Sequence, residues 1–286
     1  MELKYIDIST HQKNVDYAKV KADGVQGVIL RAGFTGYGSS KSKRKDEMFE
    51  KHYAGFTAVG IPIGVYYYSC AYSPEEAIIE AMKTLEIIKG KNIQLPVWFD
   101  TEDSHDVNEE GLATVNQRTI GKVKLTETAL AFLETIKKAG YVAGIYASTS
   151  WLNNQLDMSQ LKEFDVWVAH YKAARPTYKG AYTMWQYASD GSVDGIAGNV
   201  DMNICYKDYL SNQPEAPKPI DPKPTIPSAA IKVGDVVNLF GVRYATGQKI
   251  PTWVKLRKHT VAQLKDDRAL LKEITSWVFI KDIKKV

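Results

Sequence analysis

Cysteine is almost absent from this chain, with only Cys70 and Cys205 in 286 residues. Two cysteines this far apart provide neither a disulfide framework nor the paired spacing of a zinc site, so we expect two free, buried thiols. The five histidines show no metal-ligand spacing either. The sequence therefore predicts no metal site and no other cofactor.

Long apolar runs are also missing. No stretch approaches the 18 residues that suggest a membrane span, so we expect no membrane insertion. Residues 1–7 lack the basic start and apolar core of a signal peptide, which predicts a cytoplasmic protein unless something else releases it. Neither G-x-G-x-x-G nor G-x-x-x-x-G-K-[ST] occurs, and a nucleotide-binding fold has little support.

The charge is unevenly distributed along an otherwise ordinary globular composition of 44% hydrophobic and 24% charged residues. Residues 231–286 contain twelve Lys and Arg against five Asp and Glu, a net charge of +7. Residues 1–230 contain 25 basic and 28 acidic side chains, a net charge of −3. A basic tail predicts a polyanionic target, either nucleic acid or a bacterial wall polymer, and charge alone does not choose between them.

A proline-rich segment separates the two parts. Between residues 212 and 227 a proline occurs every two or three residues, which favours an extended conformation without a packed element. We therefore predict a domain at 1–210, a linker at 211–230 and a small domain at 231–286.

Strand and helix patterns alternate through the first domain, and this favours a parallel α/β barrel or a doubly wound sheet. Ser73 and Pro74 predict a helix start, and Asp46 is a candidate cap for another helix. The predicted strands are 5–8, 27–31, 63–68, 97–100, 142–146, 166–169 and 182–187, and the predicted helices are 15–22, 46–59, 73–89 and 115–139.

The apolar run at 95–102 ends in two carboxylates, Asp100 and Glu102. Side chains alternate along a strand, so both project to one side, about 7 Å apart. Cleavage of a glycosidic bond needs one protonated carboxyl group and one ionised carboxylate, and such a pair can divide these roles. The alternative is that the two acids begin a solvated loop.

Other polar side chains end the neighbouring strands. Asp7, Arg31, Tyr66, Tyr68 and Tyr146 all stand at or near the carboxyl end of a predicted strand. In a barrel these ends gather at one mouth, where such enzymes place their chemistry. The pattern favours a functional interpretation of Asp100 and Glu102 over a solvated loop.

Seven stretches resemble glycoside hydrolase family 25, the Chalaropsis-type muramidases found in many phage endolysins. They are 5–12 (YIDISTHQ), 63–68 (IGVYYY), 97–102 (VWFDTE), 144–148 (GIYAS), 166–169 (VWVA), 185–187 (WQY) and 195–203 (GIAGNVDMN). The resemblance implies an irregular, TIM-like (β/α) barrel. It also implies cleavage of the β-1,4 bond between N-acetylmuramic acid and N-acetylglucosamine in peptidoglycan. A zinc amidase, the other common lysin chemistry, is disfavoured because the histidines show no metal-ligand spacing.

The resemblance also implies roles for individual residues. Glu102 would be the proton donor, with Asp100, Asp7 and Asp201 as the other acids. Asp100 would either attack the anomeric carbon or orient the N-acetyl group of the substrate as the nucleophile. Six further residues are expected to contact the sugar, and the alternative for each is a purely structural role. They are Arg31, Tyr66, Tyr68, Tyr146, Trp185 and Gln186.

The tail contains short β-type runs at 231–237, 244–248, 251–254 and 276–280. It is similar to a small bacterial Src-homology-3-like barrel of the wall-binding type attached to phage lysins. Trp253 and Trp277 are then either ligand platforms or core residues. The basic segment 41–45 is interpreted as a solvated face. The alternative is that it contacts an acidic cell wall.

The expected partners are bacterial peptidoglycan and its associated wall polymers. The resemblance places the protein in a host cytoplasm until lysis and then at the cell wall. Association of the tail into a homo-oligomer is left open. Two alternatives remain: a wall-binding protein that has lost catalysis, and a nucleic-acid binder, although the tail has no recognised nucleic-acid-binding motif.

Overall fold

The computed structural model describes residues 1–36, 42–103, 117–211, 231–241, 243–248, 250–251, 254 and 257–286. The chain divides into two compact units. Apart from Ser211, the predicted linker lies outside the described residues, so its conformation stays a prediction. Among the described residues, no helix combines the length and the apolar character needed to cross a membrane.

The first unit alternates strands and helices for most of its length. Its elements are β1 (Leu3–Ile8), α1 (Tyr17–Ala22), β2 (Gly27–Thr35), β3 (Lys43–Lys45), α2 (Phe49–Ala58), β4 (Ile63–Tyr68), α3 (Pro74–Ile88), β5 (Val97–Asp100), a 3-10 helix (Gln117–Ile120), α4 (Lys122–Lys138), β6 (Ala143–Ser148), α5 (Thr149–Asn154), β7 (Asp165–Ala169), β8 (Met184–Gly191) and β9 (Val200–Cys205).

Eight of these strands form a closed barrel in the order β1-β9-β8-β7-β6-β5-β4-β2, and a parallel β1–β2 pairing closes it. Strand β9 runs antiparallel to both β1 and β8, which makes the barrel irregular. The short strand β3 adds to the edge of β2. The predicted α/β barrel is confirmed, and closure excludes the doubly wound sheet.

Alternation along each strand divides the side chains between the two faces of the barrel wall. Inside, Trp98 and Trp167 pack edge to face with ring centroids 5.5 Å apart. Gly144 makes room for this pair, because a Cβ there would lie 2.2 Å from the Trp98 ring. Outside, apolar residues such as Phe99 and Phe132 form the larger core under the helices.

Helix α3 begins as predicted. The Ser73 side chain accepts a hydrogen bond from the Glu76 amide, and Pro74 occupies the first turn. The predicted start of α4 at residue 115 lies outside the described residues, and the helix itself begins at Lys122. Gly121 separates α4 from the preceding 3-10 helix. Its φ of 81° lies in the left-handed region, which glycine adopts without a steric penalty.

The predicted cap of α2 is wrong. The helix begins at Phe49 and its cap is Met48, which makes no side-chain capping bond. The Asp46 carboxylate instead accepts hydrogen bonds from the Met48 amide and from Arg31 Nε. The Asp46 side chain therefore binds Arg31 at the barrel mouth and does not cap the helix.

Three elements of the first unit were not predicted: β3, α5 and β9. The first is part of the basic segment interpreted as a solvated face. Its residues 43–45 pair as an edge strand, and Lys45 forms an ion pair with Glu50 at 2.9 Å. Lys41 lies outside the described residues. Both cysteines are buried thiols outside any disulfide, as predicted.

The second unit is all-β, as predicted. Its strands are β10 (Val236–Leu239), β11 (Lys258–Lys265), β12 (Arg268–Leu271), β13 (Ser276–Phe279) and β14 (Ile283–Lys285). They form an antiparallel sheet in the order β13-β12-β11-β10-β14 over a core of aliphatic side chains. Trp277 is half-buried on β13, whereas Trp253 lies outside the described residues.

Candidate active site

Four acidic side chains converge at one end of the barrel. Asp7 on β1 lies directly opposite Asp201 on β9, and Asp100 ends β5 with Glu102 two residues later. Asp100 is hydrogen-bonded to Glu102, and Asp7 to Asp201. Asp7 and Glu102 also repel each other electrostatically, so the four carboxyl groups form one cluster.

Two amide side chains hold Asp7 in place. Its Oδ2 accepts hydrogen bonds from Gln186 Nε2 at 2.9 Å and from Asn203 Nδ2 at 2.8 Å. The amide of Asn203 is oriented in turn, because its Oδ1 accepts a bond from Trp167 Nε1 at 2.8 Å. The orientation of the Asp7 carboxyl group is therefore fixed from two sides.

Gln186 connects Asp7 with two tyrosines. Its Oε1 accepts hydrogen bonds from the hydroxyl groups of Tyr146 at 2.7 Å and Tyr171 at 2.6 Å. Tyr146 and Gln186 are buried, whereas Tyr171 is 42% exposed. The network thus runs from the buried Asp7 to a tyrosine that solvent reaches.

Asp100 and Glu102 occupy unequal environments. Asp100 is buried, and its Oδ1 has no hydrogen-bond partner in the part of the chain that the structure describes. Burial and the neighbouring Glu102 raise the pKa of Asp100 well above its usual value. Glu102 is exposed, although protein atoms crowd its carboxyl group enough to raise its pKa too. Both carboxyl groups therefore hold a proton more strongly than usual, and the hydrogen-bonded pair can share one.

The other two acids also retain protons more strongly than usual. Burial raises the pKa of Asp7 to about 6, although hydrogen bonds from Asn203 and Gln186 oppose the rise. Burial and the neighbouring Asp7 raise the pKa of Asp201 to about 8. The cluster is therefore partly protonated near neutral pH and can supply a proton to a bound ligand.

Arg31 brings positive charge to the same end of the barrel. Its Nε donates to Asp46 Oδ2 at 2.7 Å, and its guanidinium lies 5.2 Å from the centre of the Phe34 ring. The charge of Arg31 lowers the pKa of Asp100, opposing the effect of burial. Across the described residues, no group of three or more His, Cys, Asp or Glu side chains has an arrangement that could hold a metal ion.

The structure brings most of the predicted site residues together. Tyr66 lies close enough to Arg31, Asp7, Asp100 and Asp201 for their charges to act on its hydroxyl group. Tyr68 pairs with Asp100 on the neighbouring strand and is half-buried. The aromatic and polar residues predicted as sugar contacts are thus grouped with the acids, except for one.

Trp185 does not join the cluster. It precedes Gln186 on β8, and alternation points the two side chains to opposite faces of the barrel wall. The Trp185 ring packs into the larger core under the helices, outside the barrel wall. Its Nε1 donates to the His170 carbonyl oxygen at 2.9 Å. This position does not favour the predicted sugar contact.

Sequence reasoning missed Asn203 and Tyr171. Asn203 stands two residues after Asp201, so the alternation of β9 would have identified it had that strand been predicted. Tyr171 follows β7 in an irregular segment, where no periodic pattern indicates its direction. Its contact with Gln186 emerges only from the folded chain.

The raised pKa values predict that the first unit is more stable in mild acid. The usual pKa of aspartate is 3.8, so Asp7 and Asp201 bind protons more tightly in the folded than in the unfolded chain. Their stabilising contribution is complete below about pH 4 and is lost as the pH rises through 6 and 8. We expect the free energy of unfolding to fall by roughly 1 to 3 kcal/mol between pH 5 and pH 8.

Thermal or urea unfolding at several pH values measures this slope. Asp201→Asn should flatten it, whereas Asp190→Asn, which changes an exposed carboxylate on β8, should leave it as in the wild type. An equal slope in the Asp201→Asn variant would contradict the assignment.

Comparisons with known proteins agree with this geometry. The sequence profile of glycosyl hydrolases family 25 matches residues 6–196, about two thirds of the chain. The chain is 27% identical over 203 residues to an autolytic lysozyme of Clostridium acetobutylicum, covering 70% of this chain and 55% of that protein.

Solved structures share the fold. The modular autolysin LytC of Streptococcus pneumoniae aligns with a TM-score of 0.61 and 29% identity, over 72% of this chain and 47% of LytC. LytC has also been solved with a synthetic peptidoglycan ligand. The catalytic domain of endolysin ply40, from bacteriophage P40 of Listeria monocytogenes, aligns with a TM-score of 0.56 and 26% identity, over 74% of this chain and 96% of that domain. The chain spans about half the length of the lysozyme and of LytC.

Proposed function

The chain belongs to glycosyl hydrolase family 25, and from this membership we propose that it hydrolyses the β-1,4 bond between N-acetylmuramic acid and N-acetylglucosamine in bacterial peptidoglycan. The observation that carries the proposal is the Asp100–Glu102 pair. The two carboxyl groups are hydrogen-bonded to each other at the barrel mouth, one buried and one exposed.

Glu102 is the proposed proton donor. Its exposed side chain reaches solvent and hence a bound glycan, whereas Asp100 is enclosed by the barrel. A sugar that covers Glu102 displaces water from it, and desolvation favours the neutral carboxylic acid. Binding of the glycan would then move the shared proton toward Glu102, where it can be given to the leaving oxygen.

Asp100 is left as the carboxylate that meets the developing positive charge on the sugar. Its buried Oδ1 has no hydrogen-bond partner among the described residues, so it is available to the substrate. That oxygen either attacks the anomeric carbon or accepts a hydrogen bond from the N-acetyl group, which then acts as the nucleophile. Both routes need a carboxylate held at this depth in the barrel.

The other site residues support this pair. The raised pKa values of Asp7 and Asp201 limit the negative charge at the barrel mouth, which would otherwise repel the carboxylate of Asp100. Tyr66 and the exposed Tyr171 present aromatic surface beside the acids. Such faces pack against pyranose rings, so these tyrosines are proposed to contact the glycan.

Release of reducing ends from purified Gram-positive sacculi tests the proposal. Hydrolysis of the proposed bond gives new reducing ends that carry N-acetylmuramic acid, which borohydride reduction and mass spectrometry identify. Reducing ends on N-acetylglucosamine alone would place the cut at the other glycosidic bond. Binding to sacculi without new reducing ends would instead favour a wall-binding protein that has lost catalysis.

We further propose that the second unit targets the barrel to the cell wall. Residues 231–286 carry the net charge of +7, and their small all-β fold is compatible with a wall-binding module. A phage endolysin that remains in the host cytoplasm until lysis would fit this arrangement. An anionic wall polymer would then be the ligand of the tail.

Removing the tail is expected to affect whole cells more than soluble substrates. Tethering raises the effective concentration of the barrel at its polymer, an advantage that soluble fragments do not need. A shortened chain ending at Leu210 should lyse cells about tenfold more slowly and cleave soluble glycan fragments within about twofold of the full chain. Added salt should weaken binding of the full chain to cells, since it screens surface charge.

Turbidity loss of whole cells and reducing-end assays on fragments provide the two measurements. Equal lysis of cells by the shortened and full chains would contradict targeting and leave the tail as an assembly or solubility element. Sedimentation of the full chain then shows whether it forms a homo-oligomer.

A further inference from the structure

A further buried carboxyl group lies outside the barrel wall, behind the site. Glu80 on α3 is completely buried, yet no ion pair is formed by it among the described residues. Its Oε1 accepts hydrogen bonds from Thr35 Oγ1 at 2.6 Å and from the Cys70 amide at 3.2 Å. Its Oε2 accepts one from Ser69 Oγ at 2.6 Å. Three donors are therefore arranged around this one carboxyl group.

The network continues from Glu80 to the catalytic strand. Ser69 Oγ accepts a hydrogen bond from Gln117 Nε2 at 3.2 Å, and the same nitrogen donates to the Ala71 carbonyl oxygen at 3.0 Å. Gln117 Oε1 accepts a bond from Thr101 Oγ1 at 2.7 Å. We call Glu80, Ser69, Gln117 and Thr101 the outer network, and all four residues are buried.

Thr101 is the residue between the two proposed catalytic carboxyl groups. Since side chains alternate, its hydroxyl group points out of the barrel while Asp100 and Glu102 point to the other side. Its amide donates to the Tyr146 carbonyl oxygen at 3.1 Å, and the Asp100 carbonyl oxygen accepts from the Ser69 amide at 2.9 Å. The outer network is therefore hydrogen-bonded to the same backbone segment that carries Asp100 and Glu102 on its inner face.

The position of Glu80 explains how one side chain can reach three strands. Thr35 is the last residue of β2, Ser69 directly follows β4, and Thr101 directly follows β5. These strand ends also carry Arg31, Tyr66 and the Asp100–Glu102 pair on the inside. A single carboxyl group on α3 thus ties together the strand ends from which much of the site is built.

The direction of the hydrogen bonds suits an ionised Glu80. Ser69 and Thr35 donate to it, which leaves the Ser69 oxygen free to accept from Gln117. A protonated carboxyl group or an amide at this position would itself donate a hydrogen bond. The hydroxyl group of Ser69 or Thr35 would then have to rotate to accept it. Burial raises the pKa of Glu80 to about 7, while these hydrogen bonds and the charge of Lys43 lower it. A buried carboxylate is costly, and the donors here offset that cost.

We propose that Glu80 is a positioning residue for the hydrolysis proposed above. Through Ser69 and Gln117 it fixes the backbone at Thr101, so that Glu102 is held over the bond that it protonates. The inference rests on the proposed function for its effect on turnover, but the positioning itself is measurable without substrate.

Glu80→Gln in the full chain tests the proposal. The amide keeps the size of the side chain and disturbs the donor pattern, so the Thr101 amide should exchange its hydrogen about tenfold faster. On soluble glycan fragments kcat should fall about tenfold with KM within about twofold, because the loosened carboxyl group still lies beside the bound sugar. Thr84→Val is the matched control. Thr84 is buried on the same helix and donates to the Glu80 backbone oxygen, outside the outer network.

A double-mutant cycle separates positioning from a general loss of stability. Thr101→Val should lower kcat about fivefold, and combining it with Glu80→Gln should lower kcat little further, since both act through one network. If Glu80→Gln does not fold, Ser69→Ala takes its place in the same cycle. The proposal would be overturned if the two substitutions multiplied each other's effects on kcat. It would also be overturned if Glu80→Gln and Thr84→Val had the same rate of Thr101 amide exchange and the same kcat. If the wild type cleaves no glycan, the proposed function fails while amide exchange still decides whether Glu80 positions Thr101.

Discussion

Replacing Glu102 with glutamine is expected to lower kcat on peptidoglycan by about a hundredfold or more. The amide keeps the size of the side chain and its hydrogen bond to Asp100, but it has no proton to give to the leaving oxygen. Burial raises the pKa of Glu102, so its charged form costs folding free energy and the substitution should leave the melting temperature unchanged or raise it. A large loss of turnover without a loss of stability is the signature of a catalytic group.

Asp103→Asn is the matched control for this variant. Asp103 is the next residue in the chain and forms an ion pair with Arg118 at 2.5 Å, so its substitution also removes a carboxylate close to the site. Its kcat should stay within a few fold of the wild type. Release of reducing ends from sacculi compares the three proteins, and undiminished release by Glu102→Gln would exclude Glu102 as the proton donor.

Asp100→Asn is expected to lower kcat by a similar factor, about a hundredfold, and to leave the protein as stable as before or more so. The neutral amide can neither attack the sugar nor balance its positive charge. The raised pKa of Asp100 means that its charged form costs folding free energy, and that cost grows as the pH rises. Its removal should therefore raise the melting temperature most at alkaline pH.

Kinetics on soluble fragments and melting curves at pH 5 and pH 8 measure the two effects. A lower melting temperature at pH 8 would show that Asp100 supports the fold, and it would weaken the catalytic interpretation. Fragments carrying N-trifluoroacetyl in place of N-acetyl distinguish the two routes. A poorly nucleophilic carbonyl oxygen slows the reaction steeply only if the N-acetyl group itself attacks.

Alternation along single strands accounts for most of what the sequence predicted about the site. It placed Asp100 and Glu102 on one side of β5 and its extension, and the two are hydrogen-bonded in the structure. The same rule argues against Trp185, because it and Gln186 are consecutive residues on β8 and face opposite sides. Applied to β9, it would have added Asn203 beside Asp201.

The outer network could not be predicted in this way. A buried glutamate on an amphipathic helix resembles any polar residue at the edge of an apolar face, and α3 shows no local sign that Glu80 is buried. Glu80 accepts hydrogen bonds from Thr35 and Ser69, which are 34 residues apart, and Ser69 in turn accepts one from Gln117, 48 residues further along the chain. Such a constellation depends on how distant strand ends meet, and hydrophobic periodicity carries no information about that.

The antiparallel pairing of β1 with β9 has a consequence for synthesis of the chain. Asp7 and Asp201 face each other although 193 residues separate them, so the barrel mouth cannot form until β9 has left the ribosome. At about 5 to 20 residues per second, Asp7 waits roughly 10 to 40 s for its partner. During that time the edge of β1 that β9 will cover is open to pairing with other chains, whereas β8 is made only shortly before β9. A nascent chain is therefore unable to cut any glycan, and an interrupted one is exposed to aggregation rather than partly active.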